Sequence, residues 1–325
     1  MATLDLAVPV LEDVLRARKT ISPFLRPTPL FQYPGLDRLT GARIWIKHEN
    51  HQPVGAFKVR GGINLVSQLS EEERSRGLVT ASTGNHGQSI AYAARLFGVM
   101  ATICAPAQAN PVKVDAIRDL GATLVLEGRN FDDAKANAER LAEEKDYRYV
   151  DTGNEPLLIA GVATHTLEIF EEEPGIDTVI VPLGGGSSAA GASIVKQGLK
   201  PRAEVIAVQS EQAPAAYRSW TERRLITAPN ETIAEGMATG QPFELPQRIL
   251  WDLLDDFVLV SDDELLQATA TMLTYTRNLV EPAGAASLAA AIKLRDRLRG
   301  KSVALICSGG NISPAQLKQV VARVS

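Results

Sequence analysis

Thr178-Val-Ile-Val-Pro-Leu-Gly-Gly-Gly-Ser-Ser-Ala-Ala-Gly191 decides the fold. Thr178–Pro182 is apolar throughout and reads as a strand buried on both faces. Three glycines then turn the chain, and Ala189–Gln197 reads as a helix. Strands of that kind belong to a parallel sheet covered by helices on both sides, and the same strand, turn and helix recur along the chain. Further strands are expected at Ala42–Lys47, Leu78–Ala81, Ala101–Ala105, Thr123–Leu126, Val205–Val208, Phe257–Val260 and Val303–Ile306. Helices are expected at about Val8–Lys19, from Lys58 to Leu69, and at His86–Phe97, Phe131–Glu144, Leu157–Glu172, Asp262–Thr276 and Ala283–Leu298, with Asp262 as an N-cap. The passage Pro23 to Pro34 cannot be helical throughout. Thr221–Gln247 is the least regular stretch and is expected to cross the surface near the mouth of the site. The fold class is α/β, with doubly wound open sheets.

Glycines lack a Cβ, so the backbone N–H groups of such a turn can converge on a phosphate at the positive end of the following helix. Gly184, Gly185, Gly186, Ser187 and Ser188 therefore read as a phosphate cup. No Gly-Lys-Ser/Thr follows, which excludes a Walker A loop, and the dinucleotide spacing with its acidic partner is absent. A second stretch, Pro53-Val-Gly-Ala-Phe-Lys-Val-Arg-Gly-Gly62, places Lys58 after a Pro/Gly turn at the start of a helix. Poor solvation there disfavours the ammonium form, so the amine can be nucleophilic near neutral pH and condense with an aldehyde. In Ser82-Thr-Gly-Asn-His-Gly87, N–H groups and short hydroxyls between a strand and a helix form an anion site.

With Ser308-Gly-Gly-Asn311, these stretches resemble the fold-type II pyridoxal-phosphate enzymes of tryptophan synthase β-like fold, and most of all the serine/threonine dehydratase and serine racemase family. The resemblance runs from about Leu25 to the C-terminus. It implies a small domain at about 53–154 inserted in a larger one formed by 1–52 and 155–325, with pyridoxal 5′-phosphate between them. It implies that Lys58 bonds the cofactor aldehyde and later takes the substrate α-proton, and that Phe57 lies beside the ring. Asn85 is implied to meet the 3′ oxygen, Ser308 to face the pyridine nitrogen, and Gly236 and Glu281 to line the pocket. Ser82, Thr83, Gly84, Asn85 and His86 would surround the substrate carboxylate, with His86 structural rather than a base. A hydroxyl at Ser308 leaves the ring nitrogen neutral and favours β-elimination over transamination.

Departures from the family pattern narrow the choice. Thr83 stands where racemases carry a serine, and its branched side chain argues against efficient racemisation. Gln209 and Ala215 replace the carboxylates of a divalent-cation site found in some members, so no metal is expected. An arginine that holds a second substrate carboxylate aligns near Ala134, which favours a neutral substrate. Ala56 stands where many relatives have serine, which implies some loss of local hydrogen bonding. Val162-Ala-Thr164 departs from the Gln-Gly-Thr common in relatives, pointing to an altered pocket among Thr152–Thr166 and Met237–Phe243, the stretches expected to set the substrate side chain. The C-terminal regulatory domain of biosynthetic threonine dehydratases is not expected.

Composition sets outer bounds. A chain of 325 residues, 45% hydrophobic, can fill two domains. The net charge of −4 without a basic stripe argues against nucleic acid, and the absence of a signal pattern or long apolar run argues for a cytoplasmic protein with no membrane partner. Cys104 and Cys307 read as buried free thiols, and His48, His51 and His165 as packing or surface residues. The family's usual state is a homodimer. The expected activity is a pyridoxal-phosphate-dependent dehydratase, an ammonia-lyase converting an L-β-hydroxy amino acid to a 2-oxo acid and ammonia. Threonine, serine or a bulkier substrate such as phenylserine would serve. Serine racemase or β-replacement is the alternative; a nucleotide-binding oxidoreductase or a silent ligand-binding relative is a remote one.

Overall fold

A computed structural model describes residues 6–82, 84–200 and 202–324. Its strands are β1 (Leu30–Gln32), β2 (Arg43–His48), β3 (Leu78–Ala81), β4 (Ala101–Ala105), β5 (Thr123–Leu126), β6 (Arg148–Tyr149), β7 (Thr178–Pro182), β8 (Glu204–Ser210), β9 (Asp256–Val260) and β10 (Ser302–Cys307). They form two sheets, ordered β1-β2-β10-β7-β8-β9 and β5-β4-β3-β6. Every pairing is parallel except that of edge strand β1 with β2.

Strand periodicity explains the layers. Val179 and Val181 of β7 and Ala304 and Ile306 of β10 enter a core under the helices Pro156–Glu172 and Ser187–Leu199. The alternate residues Ile180, Val303, Leu305 and Cys307 enter the opposite core, under Asp262–Thr276 and Pro282–Lys293. Each fully buried Val, Leu or Ile contributes about 1.5–3 kcal/mol to holding these layers together. The carboxyl ends of β3, β7 and β10 lead directly to Ser82, Gly184 and Ser308, as expected of open α/β sheets that bind ligands at that edge.

Several elements differ from expectation. Strand β1 lies inside the proline-rich passage, and helices occur at Pro34–Thr40, Pro111–Asp119 and Pro314–Val321. All three helices begin on a proline, which is preorganised for the first helical position and lacks only a hydrogen bond that position never makes. Glu71–Arg76, Ala215–Glu222 and Glu244–Leu253 are also helical, the last ending the irregular stretch early. The helix expected over Ala283–Leu298 is two, Pro282–Lys293 and Arg295–Leu298. Asp262 is not the N-cap. Ser261 is, its Oγ accepting from Glu264 N while Ser261 N donates to the Glu264 carboxylate. The Asp262 carboxylate instead accepts from Thr232 Oγ1 at 2.6 Å and Ile233 N at 2.9 Å, anchoring the irregular stretch. Cys104 and Cys307 are free and buried. Among the described residues no helix is long and apolar enough to cross a membrane.

Candidate active site

A cleft with about 880 Å³ of atom-free space, part of it open to solvent, lies where the strand ends converge. Phe57, Lys58, Ser82, Gly84, Asn85, His86, Gly184, Gly185, Gly186, Ser187, Ser188, Gly236, Glu281 and Ser308 all line it. Thr83, the remaining sequence candidate, lies outside the described residues.

Lys58 is the N-cap of the helix Val59–Ser67. The preceding turn is tied to the end of β10 by a bridge between Ala56 and Gly309 and by Phe57 N donating to Ser308 O at 3.1 Å. Lys58 Nζ donates to Ser187 Oγ at 3.1 Å, so the amine meets the glycine turn. Desolvation lowers its pKa to about 8, partly opposed by Asp151. Pyridoxal phosphate uptake by the cofactor-free protein should accordingly rise with pH through a midpoint near 8, followed by stopped-flow absorbance. A midpoint near the ordinary lysine value of 10.5 would contradict this environment.

The glycine turn fits an anion for steric reasons. A Cβ on Gly184 would lie 2.2 Å from Gly236 O, and Gly186 has φ +86°, a left-handed conformation that glycine adopts without strain. Ser187 then opens a helix of 13 residues whose first N–H groups have no intrahelical partner. These residues fit the phosphate of pyridoxal phosphate, as Lys58 fits its aldehyde.

In the loop after β3, Ser82 Oγ accepts from Gly84 N at 3.1 Å and Gly87 N at 2.8 Å, so two N–H groups of the expected anion site hold the loop itself. His86 is buried, and desolvation with the nearby Lys58 pushes its pKa down to about 3. Thr80 Oγ1 spends its proton on Val150 O, so His86 Nε2 is the donor to Thr80 and Nδ1 keeps a bare lone pair with no partner among the described residues. Such a neutral imidazole is a weak base. Ser308 Oγ donates to Ala283 O at 3.2 Å.

Asn85 belongs to a polar network that the sequence did not reveal. Its Nδ2 donates to Glu281 Oε1 at 2.6 Å, and its Oδ1 accepts from Asn311 Nδ2 at 2.8 Å. Lys113 joins Glu281 at 3.3 Å and Glu235 at 2.7 Å. Burial works against the Lys113 charge, but the two carboxylates outweigh it and hold its pKa above the usual lysine value. The only signal for Lys113 was Asn110-Pro111, a capped helix start whose first turn meets the cleft. Thr152, Thr239 and Phe243 also line the cleft, within the stretches Thr152–Thr166 and Met237–Phe243 expected to set the substrate side chain, and Phe131 joins them from a helix that carried no such expectation. Ala134 does not line it; it is buried in the core beside β3, and Phe131 is the cleft residue of that helix.

Behind Lys58 lies a buried ion cluster. Arg60 donates to Glu49 at 2.7 and 2.8 Å and to Glu168 at 2.6 and 2.8 Å, and Lys47 meets Glu168 at 2.6 Å. At the positions compared with a cation site, Gln209 Oε1 accepts from Tyr217 N, and nearby Glu211 pairs with Lys293. His48 is buried between Tyr33, to whose hydroxyl it bonds at 2.8 Å, and His51, on which it stacks.

The chain is 38% identical over 312 residues to an L-threonine ammonia-lyase of Thermotoga maritima, a match covering 96% of this chain and 78% of that one. Among solved structures, maize serine racemase superposes with a TM-score of 0.92 at 29% identity, covering 98% of each chain. A threonine deaminase from T.th. superposes at 0.89 with 35% identity, covering 94% of this chain and 99% of that one. The family model described as pyridoxal-phosphate dependent enzyme matches residues 21–309. The chain therefore belongs to the pyridoxal-phosphate-dependent enzymes, and pyridoxal phosphate is its cofactor.

Proposed function

We propose that this enzyme is a dehydratase, an ammonia-lyase that converts an L-β-hydroxy amino acid to a 2-oxo acid and ammonia. The observation that carries this reading is the Lys58 amine, 3.1 Å from Ser187 Oγ, in a cleft that also presents the neutral hydroxyl of Ser308. The likeness to the Thermotoga L-threonine ammonia-lyase supports it. When bound, pyridoxal phosphate supplies an aldehyde for the amine and an electron-withdrawing ring that stabilises negative charge at the substrate α-carbon. Lys58 Nζ, with its lowered pKa, can hold and release a proton near neutral pH and is the group that takes the α-proton. Ser308 carries no charge that would keep a ring nitrogen protonated, which favours loss of the β-hydroxyl over proton return. Gly184, Gly185, Gly186, Ser187 and Ser188 hold the phosphate, with Phe57, Asn85, Gly236 and Glu281 around the ring. Ser82, Gly84, Asn85 and His86 line the part of the cleft where the substrate carboxylate would sit, and Thr83, assigned to the same loop from the sequence, lies outside the described residues. The same reading divides the chain into a small domain, 53–154, and a large one, 1–52 and 155–325; the strands of each sheet come from one of these ranges. Family resemblance also supports a homodimer and a cytoplasmic location.

The cleft favours a neutral, apolar substrate side chain. Its cationic residues are Lys58, committed to the chemistry, and Lys113, held between Glu235 and Glu281. A second substrate carboxylate finds no free cation among the described lining residues. Phe131 and Phe243 face the same space. Gly153 makes room for the Phe243 ring: a Cβ there would lie 2.3 Å from Phe243 Cγ. Phe243→Ala should lower kcat/KM for L-threo-3-phenylserine about tenfold, a typical loss for one aromatic contact. It should leave L-threonine almost unaffected, and equal losses on both would count against an aromatic seat.

Incubation with L-threonine, L-serine and L-threo-3-phenylserine tests the activity itself. Release of 2-oxo acid from at least one of them is expected, and cofactor-loaded protein inert to all three would overturn the reading. Racemisation is the second reading, supported by the likeness to maize serine racemase.

A further inference from the structure

His165 read from sequence as a packing or surface residue, yet the helix Pro156–Glu172 carries it directly behind the glycine turn. It is fully buried, with Nε2 2.8 Å from Ser188 Oγ and Nδ1 2.8 Å from Thr166 Oγ1. The Phe57 ring meets it edge-on at 6.2 Å between centroids, which fixes its plane. Burial pushes its pKa down to about 3, against the opposing effect of Glu49, so the imidazole is neutral with one donor and one acceptor nitrogen.

Hydroxyl, imidazole and hydroxyl therefore form a chain that can run in two directions. In one, Ser188 donates to Nε2 and Nδ1–H donates to Thr166, which strands the Thr166 hydroxyl proton. Thr166 is fully buried and makes no other side-chain hydrogen bond among the described residues. In the other, Thr166 donates to Nδ1, Nε2–H donates to Ser188, and the free proton belongs to Ser188, which lines the cleft. An unsatisfied buried hydroxyl is costly, so the second direction prevails once an acceptor occupies the cleft.

We propose that His165 is a positioning residue that, with Thr166, fixes the Ser188 hydroxyl as a donor to the cofactor phosphate. This relay rests on residues 184–188 being the phosphate cup. Its chemistry is specific to the anion: a cofactor lacking phosphate has no use for the relay.

The test compares the affinity of the cofactor-free protein for pyridoxal phosphate and for pyridoxal, with the ³¹P resonance of bound phosphate as a second readout. His165→Leu should weaken pyridoxal phosphate about tenfold, the effect of one charge-assisted hydrogen bond. It should leave pyridoxal unchanged and move the ³¹P resonance. His165→Gln, which restores a donor, should recover most of both readouts. Ser188→Ala should match His165→Leu, and the double variant should be no worse than either alone. Equal losses for pyridoxal and pyridoxal phosphate in His165→Leu, or additive losses in the double variant, would overturn the relay. Should His165→Leu fail to fold, an unchanged pyridoxal phosphate affinity in Ser188→Ala overturns it instead. A wild-type protein that binds pyridoxal phosphate no better than pyridoxal overturns the phosphate cup, and the relay with it.

Discussion

Lys58→Ala abolishes turnover and the visible absorbance of bound cofactor together. The amine is the one cationic nucleophile in the cleft free of a carboxylate partner among the described residues, and it lies against the glycine turn. Its loss removes both the covalent anchor and the group that takes the α-proton, and general-base loss alone costs about 10²–10⁴ in rate. Lys58→Arg should fail equally, since a guanidinium stays protonated and does not condense with an aldehyde. Circular dichroism should show both variants folded. A Lys58→Ala protein that keeps its colour through dialysis and turns over at the wild-type rate would remove Lys58 from the mechanism.

Arg60→Ala should cost about 3–5 kcal/mol of stability, read as a shift in the urea midpoint, because it leaves Glu49 and Glu168 buried with Lys47 as the one remaining cation of the cluster. Arg60→Lys should restore only part, since one ammonium cannot reproduce the paired contacts of the guanidinium to both carboxylates. A loss below about 1 kcal/mol would show that the cluster is no better than a surface pair. The same cluster sets an acid limit. Burial acts to raise the Glu49 pKa, but Arg60 overrides it and lowers the value from 4.5 to about 2. A carboxylate with a depressed folded pKa contributes stability that is complete above the unfolded value. That contribution should disappear as pH falls from 4.5 toward 2.

The parts legible in the sequence are those where one local pattern determines the structure. Strand β7, the glycine turn and the helix after it follow from apolar periodicity and missing Cβ atoms, and Leu78–Ala81, Ala101–Ala105 and Thr123–Leu126 have the expected bounds for the same reason. The helix opening on Pro34 is masked by the proline-rich passage before it, and those opening on Pro111 and Pro314 are short, although proline suits the first helical position in all three. Strand β1 has three residues and depends on β2 for its existence, so it carries no periodic signal of its own. The ion cluster joins Lys47, Glu49 and Arg60 to Glu168, 108 residues beyond Arg60, and no local pattern pairs them. Its one trace is Glu168, a charge inside the apolar part of a helix that ends in two further glutamates. Lys113 and Phe131 likewise reach the cleft from segments brought there only by the tertiary fold. His165 has no carboxylate or cysteine at ligand spacing to mark it in the sequence; its partners are the hydroxyls of Thr166 and Ser188.

Elimination and racemisation both begin with loss of the α-proton, and the fate of the substrate then separates them. The most direct measurement follows 2-oxo acid, ammonia and the α-carbon configuration of residual substrate in one reaction of the cofactor-loaded protein with L-threonine, L-serine or L-threo-3-phenylserine. For an enzyme that eliminates, 2-oxo acid and ammonia appear in equal amounts and the remaining substrate is still L. Accumulation of inverted substrate faster than 2-oxo acid would contradict elimination and assign the cleft to racemisation.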